Sequence, residues 1–156
     1  MLIRVATPED LGRIDALLSA SYPRLLRPDY PPSVLVMALP LISRANPALV
    51  SSGTYYVAEE AGAILGAGGW TPRRGGQAEV RHLVTDWRHQ RQGLGRAILS
   101  HALEAARDVG MTTAHAAATR TAVPFYAAMG FTRLADIVVP LAPGIGFPAV
   151  SMRRAL

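Results

Sequence analysis

Apolar residues recur along this chain with two different periods. Residues 2–6 alternate like a short strand, and Thr7-Pro8-Glu9-Asp10 follows as a helix start: a hydroxyl cap, proline at the first helical position and acids in the first turn. Leu11, Ile14, Leu17 and Leu18 then return at helical spacing, which predicts an amphipathic helix lying on a sheet and stopped at Tyr22-Pro23. Residues 22–32 read as a proline-broken connection. Residues 33–44 have a helical apolar pattern interrupted at Pro40 and ended by Asn46-Pro47, a broken helix or two short ones.

Beyond that point strands dominate. Residues 54–59 alternate and are rich in β-formers, Ala61-Gly62 is a turn, and residues 63–70 return as the second strand of a hairpin. Residues 73–76 form a basic, glycine-rich loop, residues 78–85 a strand, and residues 86–92 a polar loop rich in arginine. Gly93 opens the strongest helix, with Leu94, Ala97, Ile98, His101, Leu103 and Ala105 expected toward the core and Gly110 as its stop. A strand at 111–117, a short helix at 121–129 stopped by Gly130, a strand at 131–139, a Pro/Gly loop at 141–147 and a last strand at 149–153 complete the order β-α-α-β-β-β-α-β-α-β-β. Strands alternating with helices imply parallel pairing across a right-handed crossover, and the hairpins add antiparallel neighbours. A mixed sheet with helices on both faces follows.

Composition narrows the class. With 156 residues, half of them apolar, 17% charged and a mean hydropathy of +0.20, the chain is expected to fold as a single domain, residues 1–156, around a real core. No apolar run reaches the roughly 18 residues that cross a bilayer, and acidic residues arrive before any leader-like stretch, so a cytoplasmic location and no membrane partner are expected. The absence of cysteine excludes disulfides, thiolate metal sites and cysteine nucleophiles. His89, His101 and His115 have no spacing that suggests a metal, and none is expected. All sixteen basic residues are arginine, the net charge is +5 and the pI is near 10.4. Without lysine there is no P-loop and no Schiff-base chemistry. The arginines are spread over both halves with no basic helix or aromatic interleaving, so no nucleic-acid partner is expected.

The segment with the most chemistry is the strand ending in Leu83, Val84 and Thr85 and the loop Gln90-Arg91-Gln92-Gly93-Leu94-Gly95 that runs into the long helix. The first amides of a helix have no internal acceptor and sit at the positive end of its dipole, so an anion can take several hydrogen bonds there. Gly93 and Gly95 let the backbone come close, and Arg88, Arg91 and Arg96 add positive charge. A dinucleotide fingerprint would need a small residue where Ile98 stands. Gly66-Ala67-Gly68-Gly69 has no helix after it, which points instead to close packing or a bulge.

That loop resembles the acetyl-CoA loop of the GNAT superfamily of N-acetyltransferases, Arg/Gln-x-x-Gly-x-Gly/Ala. Phe125-Tyr126-Ala127-Ala128-Met129-Gly130-Phe131 resembles a second element of the family, an aromatic–Tyr pair four residues before Gly-Phe, at the usual spacing from the first. The resemblance covers about residues 79–134; the first half matches in element order alone. It implies a mostly antiparallel, splayed sheet of about seven strands, with acetyl-CoA as co-substrate and a primary amine of a small molecule or peptide as acceptor, acetylated directly in a ternary complex. Main-chain groups of Leu83, Val84 and Thr85 would hold the pantetheine arm, and the amides of the Gln90 to Arg96 loop the pyrophosphate. Phe125 and Thr119 would be further contacts, Thr119 standing where an asparagine is often found, and Trp87 stands where many members have proline.

The resemblance also implies Tyr126 as the proton donor to the leaving sulfur. It implies Glu79 as a general base acting through water, a position where alternation would also allow an ion pair with Arg81 on the face shared with Leu83. His82 is a second candidate base or a packed histidine. A homodimer is allowed. The alternative function is a catalytically silent module that binds acetyl-CoA. Selectivity for the acceptor is expected from residues 22–32, the broken helix and the 141–147 loop, with Tyr22, Tyr30 and Trp70 as an aromatic lining and Asp29 as its one anion.

Overall fold

The computed structural model describes residues 1–156. Strands β1 (Leu2–Val5), β2 (Tyr55–Glu60), β3 (Ala63–Arg73), β4 (Gln77–Thr85), β5 (Thr113–Ala118), β6 (Thr132–Ala142) and β7 (Ile145–Ala155) make one sheet in the order β1-β2-β3-β4-β5-β7-β6. Every neighbouring pair is antiparallel except β4 and β5. These two pair only through Gln77–Thr113, Ala78–Ala114 and Glu79–His115, and beyond Glu79 they part. The splayed, mostly antiparallel seven-stranded sheet expected from the sequence is therefore the one observed. No helix is long and apolar enough to cross a membrane.

Helices α1 (Leu11–Leu26), α2 (Pro32–Ile42) and α3 (Pro47–Val50) lie on one face, and α4 (Leu94–Asp108) and α5 (Val123–Ala128) on the other. Neighbours Val57 and Ala58 divide accordingly: Val57 packs with Ile14 and Leu18 of α1, Ala58 with Ile98 of α4. The glycines of β3 make the second contact possible. A Cβ on Gly66 would lie 2.6 Å from Ile98 Cδ1, and one on Gly68 2.6 Å from Leu83 Cδ1. The glycine run serves close packing, and a bulge also falls within it, between Ala67 and Gly69.

Several boundaries differ from the sequence expectation, each for a tertiary reason. Helix α1 does not stop at Tyr22-Pro23 but continues through Pro23 to Leu26, because that last turn buries Leu26 with Tyr30, Leu35 and Phe147. Pro40 falls in the final turn of α2, where it leaves the helix continuous, and Asn46 opens a new helix by accepting bonds from the Ala48 and Leu49 amides. The 141–147 loop shrinks to a tight turn at Gly144 because β6 and β7 pair almost to their tips as a long hairpin. The buried side of α4 is Leu94, Ile98, Leu99, Ala102, Leu103 and Ala106, rotated from the expected stripe, so His101 is exposed and touches only the edge of the Tyr56 ring, 4.7 Å between centroids.

Strand β4 carries the largest departure. Ala78 and Val80 face α4, yet Val84 packs against α1. Strict alternation fails because His82 has φ of 44° and the register with β3 shifts between Ala67 and Gly69, a β-bulge. Leu83 therefore joins Val80 on the α4 side and leaves the face of Glu79 and Arg81.

Candidate active site

The parting of β4 from β5 opens a cavity of about 700 Å³ between α1, the end of β4, the start of α4 and α5. Its walls include Leu83, Val84 and Thr85, then Gln90, Arg91, Gly93, Leu94, Gly95 and Arg96, and opposite them Thr119, Phe125 and Tyr126. Of the residues expected to hold acetyl-CoA only Gln92 does not line it, and of Tyr126 and Glu79, the expected proton donor and base, Glu79 does not. Gln92 is exposed on the outside of the loop. Tyr22, Leu25 and Leu26 close the α1 side, and Ala122, Pro124 and Met129 the α5 side.

The loop is organised by a residue that the sequence reading passed over. Asp86, buried at the end of β4, accepts bonds from the Arg88 amide at 2.9 Å and from Arg88 Nη2 at 3.0 Å. The Arg88 contacts hold its carboxyl down at about 2. An aspartate closing a strand before a turn is a signal for such a fold-back. Trp87 is tied to α1: its amide meets Ser21 Oγ at 3.3 Å and Arg24 lies 4.3 Å over its ring. Arg91 and Gly93 both take left-handed backbone, with φ of 62° and 78°. No side chain caps α4, and its first helical bond is donated by Ala97 to the Gly93 carbonyl, so the preceding amides have no helical acceptor.

A Cβ on Gly95 would come 3.2 Å from Phe125 Cε1, so the glycine keeps clear a passage between the helix start and α5. An uncapped helix terminus, a bare glycine cradle and an apolar wall fit a diphosphate followed by a thin, amide-bearing arm.

Tyr126 is buried, with its ring edge-on to both Phe125 and Phe131 at 5.4 and 5.2 Å. Burial pushes its phenol far above the ordinary value, and the nearby Glu79 charge acts in the same direction. It is held protonated, as a donor must be. Burial likewise pushes the Tyr22 phenol up to about 12.

Glu79 occupies the foot of the fork. Its Oε2 accepts from Arg73 Nη1 at 2.9 Å and lies 2.6 Å from His115 Nδ1, while His115 Nε2 lies 2.6 Å from Ser151 Oγ. The ion pair that alternation allowed with Arg81 is made with Arg73 instead, and Arg81 meets Thr71 Oγ1 at 3.3 Å. His82 lies in the bulge, where burial and the Arg81 charge lower its pKa. Of the expected aromatic lining only Tyr22 reaches the cavity. Trp70 packs on the α4 face with Tyr56, the face to which Gly66 and Gly68 also point, and Tyr30 is a latch, donating to the Pro148 carbonyl at 2.7 Å and accepting from the Arg120 amide at 2.8 Å.

A family model described as an acetyltransferase (GNAT) domain matches residues 51–133. A GCN5-related N-acetyltransferase structure from Rhodopseudomonas palustris superposes with a TM-score of 0.83 at 19% identity, over 99% of this chain and 95% of that one. PaiA N-acetyltransferase from Thermoplasma acidophilum, in complex with coenzyme A, gives 0.78 at 15% identity over 99% and 98%. Ribosomal-protein-alanine N-acetyltransferase from Brucella melitensis gives 0.70 at 19% identity over the whole of both chains. No curated protein sequence matches significantly.

Proposed function

The chain belongs to the GNAT acetyltransferase family, and from that premise we propose that it works as one N-acetyltransferase domain, residues 1–156, moving an acetyl group directly from acetyl-CoA to a primary amine of a small molecule or peptide. The observation that carries this reading is the cavity at the fork, which joins the uncapped start of α4 to the buried Tyr126. Acetyl-CoA supplies the acetyl group as a thioester. The Gln90 to Arg96 loop binds its diphosphate, and the main chain of Leu83, Val84 and Thr85 aligns its arm, with Phe125 and Thr119 opposite. That three residues at a splayed strand end line a cavity supports this role, since unpaired main-chain groups need partners.

Exchange of a C–S bond for a C–N bond requires a proton at the departing sulfur and removes one from the attacking amine. Tyr126 is the donor: its phenol is neutral and aromatic packing fixes its ring. The base side belongs to the cluster around Glu79, whose charge reaches the Tyr126 phenol although Glu79 does not line the cavity. Tyr22, Leu25 and Leu26 face the acceptor with a mostly apolar surface.

The test is a panel of amines assayed for free CoA, paired with thermal unfolding in acetyl-CoA. Saturable stabilisation and CoA release with at least one amine are expected. Stabilisation without release from any amine would leave a binding module, and no stabilisation at millimolar ligand would remove both readings.

A further inference from the structure

Glu79, His115 and Ser151 come from three strands, β4, β5 and β7, and meet on the face of the sheet that carries α1 and α2. Register brings them there: Glu79 is directly opposite His115, and Ser151 is opposite Ala117, one step further along the same face of β5. Both nitrogens of the imidazole are engaged, Nδ1 by a carboxylate and Nε2 by a hydroxyl, each at 2.6 Å. Arg73 Nη1 also lies 3.2 Å from Nδ1, but the carboxylate at 2.6 Å is the nearer group and can only accept, so the proton of the neutral ring sits on Nδ1. Nε2 is then an acceptor for the Ser151 hydroxyl. This is the arrangement by which a carboxylate fixes the tautomer of an imidazole so that it can draw a proton through a hydroxyl. Meanwhile Glu79 Oε2 already holds two donors, Arg73 Nη1 and His115 Nδ1.

We propose that His115 takes up the acceptor's proton through the Ser151 hydroxyl, and that Glu79 is its orienting partner and not the base. The proposal rests on the acetyl-transfer reading above. None of Glu79, His115 and Ser151 lines the cavity, so water carries the proton that the amine nitrogen sheds as it bonds to the acyl carbon; Ser151 Oγ takes it, the Ser151 hydroxyl proton passes to His115 Nε2, and the resulting imidazolium, held by Glu79, returns it to solvent. Glu79 and His115 both act on the acceptor through Ser151. The charged groups on the same face of the neighbouring strands are Arg73 on β3, Arg81 on β4 and Arg153 on β7, the last directly opposite His115. Helix α2 carries no charge.

Two measurements decide it. Nitrogen-15 NMR of the ligand-free protein is expected to find His115 as the Nδ1–H tautomer, with a strongly deshielded proton that disappears in Glu79→Gln; an Nε2–H ring, or a signal indifferent to Glu79→Gln, overturns the proposal. With an amine that the wild-type protein turns over, His115→Asn is expected to lower kcat by about a hundredfold with the KM for acetyl-CoA unchanged. Glu79→Gln added to His115→Asn should cost nothing further, and imidazole should partly rescue His115→Ala. Ser151→Ala, a small change on a half-buried strand, should lower kcat in the same way. Wild-type turnover in His115→Asn, with Glu79→Gln inactive, would return the base role to Glu79 and overturn the relay alone. A wild-type protein that releases no CoA from any amine fails one step earlier, at the acetyl-transfer reading.

Discussion

The Tyr55 hydroxyl donates a 2.8 Å hydrogen bond to the main-chain carbonyl of His82, the residue whose left-handed backbone makes the bulge in β4. Tyr55 is 1% exposed, and burial holds its phenol well above the ordinary value, so it stays a donor. One phenol reaches across β3 from β2 and holds the bend that turns Leu83 and Val84 to opposite sides of the sheet.

Tyr55→Phe strands that carbonyl and is expected to lower stability by about 1–3 kcal/mol, the cost of a buried group left unpaired. Urea unfolding should show a lower midpoint at an unchanged slope. Acetyl-CoA affinity should fall in the same variant, because the bulge sets where Leu83, Val84 and Thr85 meet the cavity.

Tyr126→Phe keeps the ring and its packing against Phe125 and Phe131 and removes only the hydroxyl. A drop in kcat of about a hundredfold is expected, with acetyl-CoA binding by calorimetry close to wild type. Unchanged turnover would remove Tyr126 from the proton transfer.

Gly95→Val places branched carbon where even a Cβ would stand 3.2 Å from Phe125. Acetyl-CoA affinity is expected to fall about tenfold or more, equivalent to some 1.4 kcal/mol. Circular dichroism and melting in the absence of ligand would show whether the loss lies at the site or in the fold.

Acid stability should trace to Asp10. It is 1% exposed, accepts from Arg4, Arg13 and the Thr7 amide, and its carboxyl lies far below the ordinary value of 3.8, chiefly through the Arg4 hydrogen bonds. A depressed carboxylate stabilises the fold above its unfolded pKa and loses that contribution as pH falls toward the folded value. Stability should hold above about pH 5 and decline below about pH 4. Asp10→Asn should be less stable at neutral pH and show a shallower decline, as followed by urea titration at each pH.

Much of this was legible in the sequence, and the limits have physical causes. The loop from Gln90 to Gly95 and the Phe125-Tyr126 pair are local patterns, and the structure brings both to one cavity, apart from Gln92. Strand alternation placed Glu79 beside Arg81, but its partners Arg73 and His115 come from neighbouring strands, and cross-strand register is not a local property. Pro23 read as a stop because propensity counts the missing amide, whereas burying Leu26 against Phe147 outweighs it. The reversal of facing in β4 turns on one non-glycine residue, His82, in a backbone region its side chain disfavours, and no sequence pattern announces that.

Three residue pairs, Gln77–Thr113, Ala78–Ala114 and Glu79–His115, are the whole seam between β4 and β5. The sheet is thus two plates hinged at the foot, and whatever lodges in the gap above becomes a dowel between them. The residues at the hinge's edge, Glu79 and His115, are also those through which a proton would leave, so the mechanical pivot and the chemical outlet coincide.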